Sequence, residues 1–265
     1  MKTARRQNGG IRAMLLKSAC EVFAEKGYRN ATVAQICKRA GANLAAVNYY
    51  FGDKEALYVE AWRLAFSRSL RVHPPDGGVP ADAPAEERLC GRILAIMQRI
   101  ADPQSHEFEI VHKELASPTG LLTEVMRKSI EPLKRELGRI VRELLGEQAS
   151  EQQVALCQMS IRAQCFDMAI RERHRKMLTA ARMKMKWPSE KIKVEVIADH
   201  VTRFSLAGIR ELRRQIESGE LVGQYNAANS GSEGLSKLPS LSTVASSSPD
   251  STESINIKSG ENPVH

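Results

Sequence analysis

TVAQICKRAGANLAAVNYYFGDKEAL, residues 32–57, holds two short helices and the start of a third. Thr32 followed by Gln35 is a capping box, in which each side chain satisfies a backbone N–H at the other residue. Val33, Ile36, Cys37 and Ala40 then recur at i, i+3, i+4 and i+7, the stripe of one helix face. Gly41 stops that helix, and Asn43 can cap a second from Leu44 to Phe51, ahead of Gly52. Asp53 caps a longer helix, to about Leu70, whose buried stripe is Leu57, Ala61, Trp62, Ala65 and Phe66. Two short helices about a glycine-containing turn make a helix-turn-helix, an arrangement that sets its second helix in the major groove of DNA.

The flanking sequence is helical too. Upstream, Ile11, Leu15, Ala19, Val22 and Phe23 recur at spacings of three and four, and Gly27 reads as their C-cap. Downstream, residues 72–86 are too rich in Pro and Gly to be anything but a loop. Helical periodicity resumes at Leu89, Ile93, Ile96, Met97 and Ile100, and again near Phe108 to Leu115. The run from Leu121 to Leu145 should be kinked or divided by Pro132. Two more amphipathic runs cover roughly 151–183 and 189–217, the last opening at Pro188-Ser189 or Ser189-Glu190. No convincing period-two alternation occurs, so the expected fold is all-α. The boundaries expected are a DNA-binding head at 1–52, a helical body at 53–217 and a disordered Ser/Asn-rich tail at 218–265.

Charge points the same way. Of the net +8, residues 1–70 carry +7, with 12 Lys/Arg against 5 Asp/Glu. A basic head on a nearly balanced body suits a polyanionic partner. The 265 residues include no uninterrupted apolar run long enough to span a bilayer, and the basic N-terminus lacks the apolar core of a signal peptide. Five cysteines without a CxxC fit reduced thiols in a cytoplasm better than a disulfide framework. Secreted, membrane-bound and disulfide-scaffold classes are set aside.

The candidate DNA-contacting residues follow from position. Tyr49 and Tyr50 end the second short helix, where their hydroxyls can reach phosphate oxygens, and Lys54 opens the next helix as a further phosphate contact. The backbone N–H groups at the Thr32 helix start can do the same. For bases, Asn43, Leu44, Ala45, Ala46 and Asn48 are the candidates, since Asn pairs with adenine and small apolar side chains meet thymine methyls. The helix has no Lys or Arg, so guanine readout by Arg is absent from it. Non-specific affinity must then come from Lys38, Arg39, Lys54 and a basic arm of Lys2, Arg5, Arg6 and Arg12 that could reach a minor groove.

Gly41, Tyr49-Tyr50-Phe51 and Lys54-Glu55-Ala56-Leu57 resemble the DNA-binding motif of the TetR family of bacterial transcriptional regulators, over about residues 11–60. NYYFGDKEALY, HKELASPT (112–119) and HVTRFSLAGI (200–209) are similar to its CecR-like subgroup, which has its own C-terminal domain type. The family places its backbone clamp at the positions that are here Thr32, Tyr49, Tyr50 and Lys54. Asn48 departs from it, because many members carry Tyr there. The resemblance implies a cytoplasmic homodimer that binds double-stranded palindromic operator DNA, represses a promoter and is released by a small effector. It also implies that the fourth helix joins the head to a ligand cavity in the body. Amphipathic position and chemistry nominate Trp62, Phe66, Phe108, His112, Met126, Arg162 and Phe166 for that cavity. Dimerisation is expected through the last two long helices, with Phe204, Leu206, Ile209 and Leu212 beside the small Ala207 and Gly208.

Other chemistry finds no footing. His106-Glu107 and His112 have the wrong spacing for a zinc-protease helix. Cys157 and Cys165 share a helix face at i, i+8, which suits packing. No phosphate loop, GxSxG or dinucleotide fingerprint occurs, so no catalytic residue, metal or cofactor is expected. A ligand-free constitutive DNA-binding protein and, more remotely, a helical enzyme are the competing classes. The basic run from Arg171 to Lys186 reads as a solvated helix end.

Overall fold

A computed structural model describes residues 2–180 and 192–220, with side chains for residues 10–167 and 192–220. The basic run, the expected helix start near Ser189 and the tail beyond Glu220 lie outside those described side chains. The described residues form nine α-helices and no strand: α1 Lys2–Asn30, α2 Val33–Ala40, α3 Leu44–Phe51, α4 Lys54–Val72, α5 Ala85–Ala101, α6 Glu107–Ala116, α7 Thr123–Leu145, α8 Glu151–Ala180 and α9 Val194–Glu217. None is long and apolar enough to cross a membrane.

The short helices start where their caps are. Gln35 N–H donates to Thr32 Oγ1 and Thr32 N–H to Gln35 Oε1, both at 3.2 Å. Asn43 Oδ1 accepts from Ala46 N–H at 2.9 Å, and Asp53 Oδ1 from Ala56 N–H at 2.7 Å. Between α2 and α3, Gly41 sits at φ 63°, ψ 34°, the left-handed conformation that a tight helix end requires. α1, α2, α3 and α4 close on a core of Leu15, Phe23, Ile36, Val47, Leu57 and Trp62. Burying each large side chain of that stripe contributes about 1.5–3 kcal/mol. The core runs on into Ile110 of α6 and into Leu122 and Val125 at the start of α7. α5, α7, α8 and α9 pack on one another as a bundle.

Two local expectations, the basic arm and a break at Pro132, need correction. The N-terminal basic residues continue α1 from Lys2 instead of forming a separate arm. Gly27, expected as a C-cap, does end the regular part of α1 at φ 73°, ψ 173°, and the chain makes one further turn, Ala31 N–H bonding Gly27 O, before α2. Pro132 does not divide α7. The proline is exposed, so water can take up the carbonyl whose partner it removes, while Val125 on one side and Leu137, Ile140 and Val141 on the other anchor the helix. α9 starts at Val194, with Lys193 before it extended at φ −63°, ψ 144°.

Candidate nucleic-acid interface

α3 has one buried and one open face. Val47 is fully buried, which turns Leu44, Ala45, Asn48 and Tyr49 outward together. Leu44 is 57% and Tyr49 75% exposed, unusual for side chains of that size unless something covers them. Tyr50 and Ala46 are half-buried against the core, and Tyr49 stands edge-on to Tyr50 with ring centroids 4.8 Å apart. Thr32 is exposed at the head of α2. Asn43 is exposed as well, but its Oδ1 already caps α3, which leaves its amide NH2 as the group free to donate.

The cations around this face are not equal. Lys54 lies over the Tyr28 ring, 4.3 Å from its centroid, and partial burial there lowers its pKa. Arg39 is held by Glu25 through two hydrogen bonds of 2.7 and 3.0 Å, with Glu21 at 3.8 Å. The same contact holds the Glu25 carboxyl below the ordinary 4.5. Arg12 sits over the Phe51 ring and 3.8 Å from Glu60. Lys38 is exposed and in no ion pair among the described residues. Counting Arg39 and Arg12 with Lys38, as composition does, overstates the charge free for phosphates.

Behind the face, two buried polar groups tie head to body. Glu114 on α6 accepts from Tyr58 Oη of α4 at 3.1 Å, and from Thr119 N–H, Thr119 Oγ1 and Gly120 N–H at 2.8–3.0 Å. Tyr58 is fully buried, and its ring meets Phe23 and Tyr28 of α1. Burial and the facing Glu114 push its hydroxyl pKa up. A continuous path thus runs from α6 through Tyr58 and Tyr28 to Lys54. Deeper in, Arg99 donates to Glu107 Oε1 at 2.5 Å and to Ser69 Oγ at 3.1 Å, with both charged residues 4% exposed. Burial pushes the Glu107 carboxyl up while the guanidinium opposes that shift, and Glu107 Oε2 has no hydrogen-bond partner.

Arg99 gathers part of the set nominated for the effector cavity. Its guanidinium lies 5.4 Å from the Phe66 centroid and 5.6 Å from that of Phe108. Phe66 stacks on Trp62 at 5.0 Å, and Phe108 meets Phe166 edge-on at 5.9 Å. Trp62 Nε1 is buried without a partner. Of the other three nominees, Met126 packs on the core that includes Trp62 and Phe66, Arg162 is half-buried on α8, and His112 is exposed on α6. A cleft of about 220 Å³ opens elsewhere, between α1, α4 and the α5–α6 connection, and none of the seven lines it. Arg99, Glu107, Glu114 and Tyr58 were not nominated from sequence. Tyr58 carries a signal as the last residue of NYYFGDKEALY, and Glu114 and Thr119 as part of HKELASPT.

Burial drives the Cys20 and Cys165 thiols up to about 12, away from the reactive thiolate. Among the described residues no three His, Cys, Asp or Glu side chains cluster as ligands.

Comparison with known proteins follows the same division. Residues 15–61 match the family of bacterial regulatory proteins, tetR family, and residues 85–209 match the C-terminal domain of the HTH-type transcriptional dual regulator CecR. CecR of Shigella flexneri is 29% identical over 154 residues, 54% of this chain and 68% of that protein. The regulator SrpR of Pseudomonas putida is 25% identical over 49% of this chain and 59% of its own length. The fold is shared with the fatty acid degradation regulator FadR from Bacillus halodurans (TM-score 0.55, 19% identity, 74% of this chain and 98% of that one). It is shared too with AibR, solved with isovaleryl coenzyme A and operator DNA (TM-score 0.51, 18% identity, 74% and 97%). With a helix-turn-helix head of one type and a helical body of the other, the chain belongs to the TetR family of transcriptional regulators and carries a CecR-type C-terminal domain.

Proposed function

We propose that the chain is a homodimeric regulator that binds a palindromic operator through α3, represses the adjacent promoter and is released by a small effector bound in the body. The observation that carries this is the open face of α3. Leu44, Ala45, Asn48 and Tyr49 stand clear of the core between the exposed Thr32 and the Lys54 end of α4. One such face reads too few bases for useful specificity, and a two-fold pair reads two half-sites. α8 and α9 offer the pairing surface: Leu156, Met159 and Phe204 are exposed, and Ala207 and Gly208 beside them allow close approach. Leu206 and Leu212 are half-buried, and Ile209 is 3% exposed, so Ile209 serves the protomer's own bundle.

The effector is placed among Trp62, Phe66, Phe108 and Phe166, with Arg99 as the polar anchor; Met126, Arg162 and His112 are outer candidates. The unpartnered Trp62 Nε1 and Glu107 Oε2 favour a polar ligand group there. AibR, bound to a coenzyme A thioester and to DNA, is a precedent for such coupling in this fold. Repression rather than activation, and a cytoplasmic setting, follow what is common in the family. Binding to duplex DNA across a salt series tests the core of this reading. About six phosphate contacts across a dimer give a log–log slope of about −5; a slope near zero overturns it. Phe204→Glu should yield a monomer in sedimentation and lose operator affinity, and a stable dimer in that variant would remove the α8–α9 assignment.

A further inference from the structure

The cleft between α1, α4 and the α5–α6 connection is lined by none of the aromatic residues proposed above for the effector, and it meets their Arg99 only through Ser69, which lines the cleft and accepts from Arg99 at 3.1 Å. Its floor is apolar, made by Leu64, Ala65 and Val72 of α4 with Cys20 of α1. Its rim is cationic. Lys17 of α1 and Arg68 of α4 both line it, both are exposed, and neither is in an ion pair among the described residues. Arg12 of α1 and Arg63 of α4 are both paired with Glu60, outside the cleft, so Lys17 and Arg68 are the cations that face it.

The third wall adds donors. Ser105 and His106 line the cleft, and His106 is the N-cap of α6 with no side-chain cap bond. The first N–H groups of α6 are therefore uncapped at the cleft's edge, and a helix N-terminus favours an anion. Desolvation lowers the His106 pKa, which leaves a neutral ring able to donate one hydrogen bond. The acid on the rim, Asp102, is already occupied by His73 Nε2 at 3.2 Å and by Gln104 N–H at 2.8 Å.

We infer that this cleft is a binding site for a small organic carboxylate, its anionic end held between Lys17, Arg68 and the start of α6 and its apolar end on Leu64, Ala65 and Val72. The volume of about 220 Å³ is about seven water molecules' share of liquid. That is room for a short aliphatic or aromatic acid but not for a drug-sized ligand. An occupant touches α1, α4 and the approach to α6 together, the helices through which the head is packed on the body. It would therefore act as a second input to DNA affinity, adjoining the effector region around Arg99 through Ser69.

Calorimetric titration of the full chain with sodium hexanoate and sodium benzoate tests the site. Hexanol and inorganic phosphate are the probes for the apolar and anionic halves alone. The expected result is saturable binding of at least one carboxylate, weakened tenfold or more in Arg68→Gln and in Lys17→Gln. Binding should be unchanged in Arg63→Gln, a cation of the same helix outside the cleft, and in Phe166→Ala. Binding that survives both Arg68→Gln and Lys17→Gln overturns the assignment. So does equal binding of hexanol, binding of phosphate alone, or absence of binding by either acid at millimolar concentration. Loss in Phe166→Ala with retention in Arg68→Gln would place the ligand in the effector region instead.

Discussion

Glu114 is the side chain whose removal should separate a tertiary anchor from an ordinary surface acid. In Glu114→Ala, Tyr58 loses its partner at a site where the ring is fully buried and water cannot replace it. A stranded buried hydroxyl costs about 2 kcal/mol. The Thr119 and Gly120 N–H groups also lose their acceptor, but Thr119 is only half-buried and Gly120 exposed, so water recovers most of that loss and about 1 kcal/mol remains. The total, about 3 kcal/mol, lowers the melting temperature by about 6–12 °C in a chain of this size. Tyr58→Phe removes the donor but leaves the carboxylate on Thr119 and Gly120, and should cost about 1 kcal/mol. In the double variant no hydroxyl is stranded, so its cost falls to about 2 kcal/mol, less than Glu114→Ala alone. Urea unfolding followed by circular dichroism measures all three. A Glu114→Ala loss under about 1 kcal/mol, or single losses that add within about 0.5 kcal/mol, would refute the reasoning.

Glu25→Gln removes the closer of the two carboxylates on Arg39 in each protomer, leaving Glu21 at 3.8 Å, and should make the salt slope of DNA binding steeper by up to about 2 per dimer, read by fluorescence anisotropy; an unchanged slope would show that Glu25 does not withhold Arg39. The Glu25 carboxyl is held low in the folded state, so its contact with Arg39 stabilises the fold above the ordinary pKa of 4.5 and is lost as pH falls through the depressed value. The acid limb of a stability–pH curve should accordingly flatten in Glu25→Gln, by an amount kept small by exposure. Gly27→Ala should destabilise by about 1–2 kcal/mol in the same unfolding assay, because a side chain at φ 73° is strained and its Cβ would come within 3.3 Å of Lys113 Cβ; equal stability would mean the α1 kink relaxes freely.

What could be read from the sequence was what the chain settles locally. Thr32, Asn43 and Asp53 cap the helices they precede, and Leu57, Ala61, Trp62 and Phe66 form the buried stripe of α4, because caps and periodicity act within one or two turns. Pro132 does not divide α7 because packed residues on both sides of it hold the helix together, a tertiary effect that the proline's intrinsic cost does not reveal. The Arg39–Glu25, Arg99–Glu107 and Tyr58–Glu114 contacts join residues brought together only by tertiary packing, so spacing carried no trace of them. A cation next to a helix-turn-helix looks available in a sequence and turns out occupied in three dimensions.

The central claim is that the open face of α3 reads bases from a paired head. Selection of bound sequences from random duplex DNA, done in parallel with the wild-type chain, Asn48→Ala and Lys54→Ala, tests it most directly. The wild type should enrich an inverted repeat with half-site centres one helical turn apart, about 10–10.5 base pairs, or a multiple of it. Asn48→Ala should relax preference at one symmetric pair of positions, and Lys54→Ala should weaken all sequences alike without changing the motif. Enrichment of no motif, or the same motif and affinity in Asn48→Ala as in the wild type, would contradict base reading through this face.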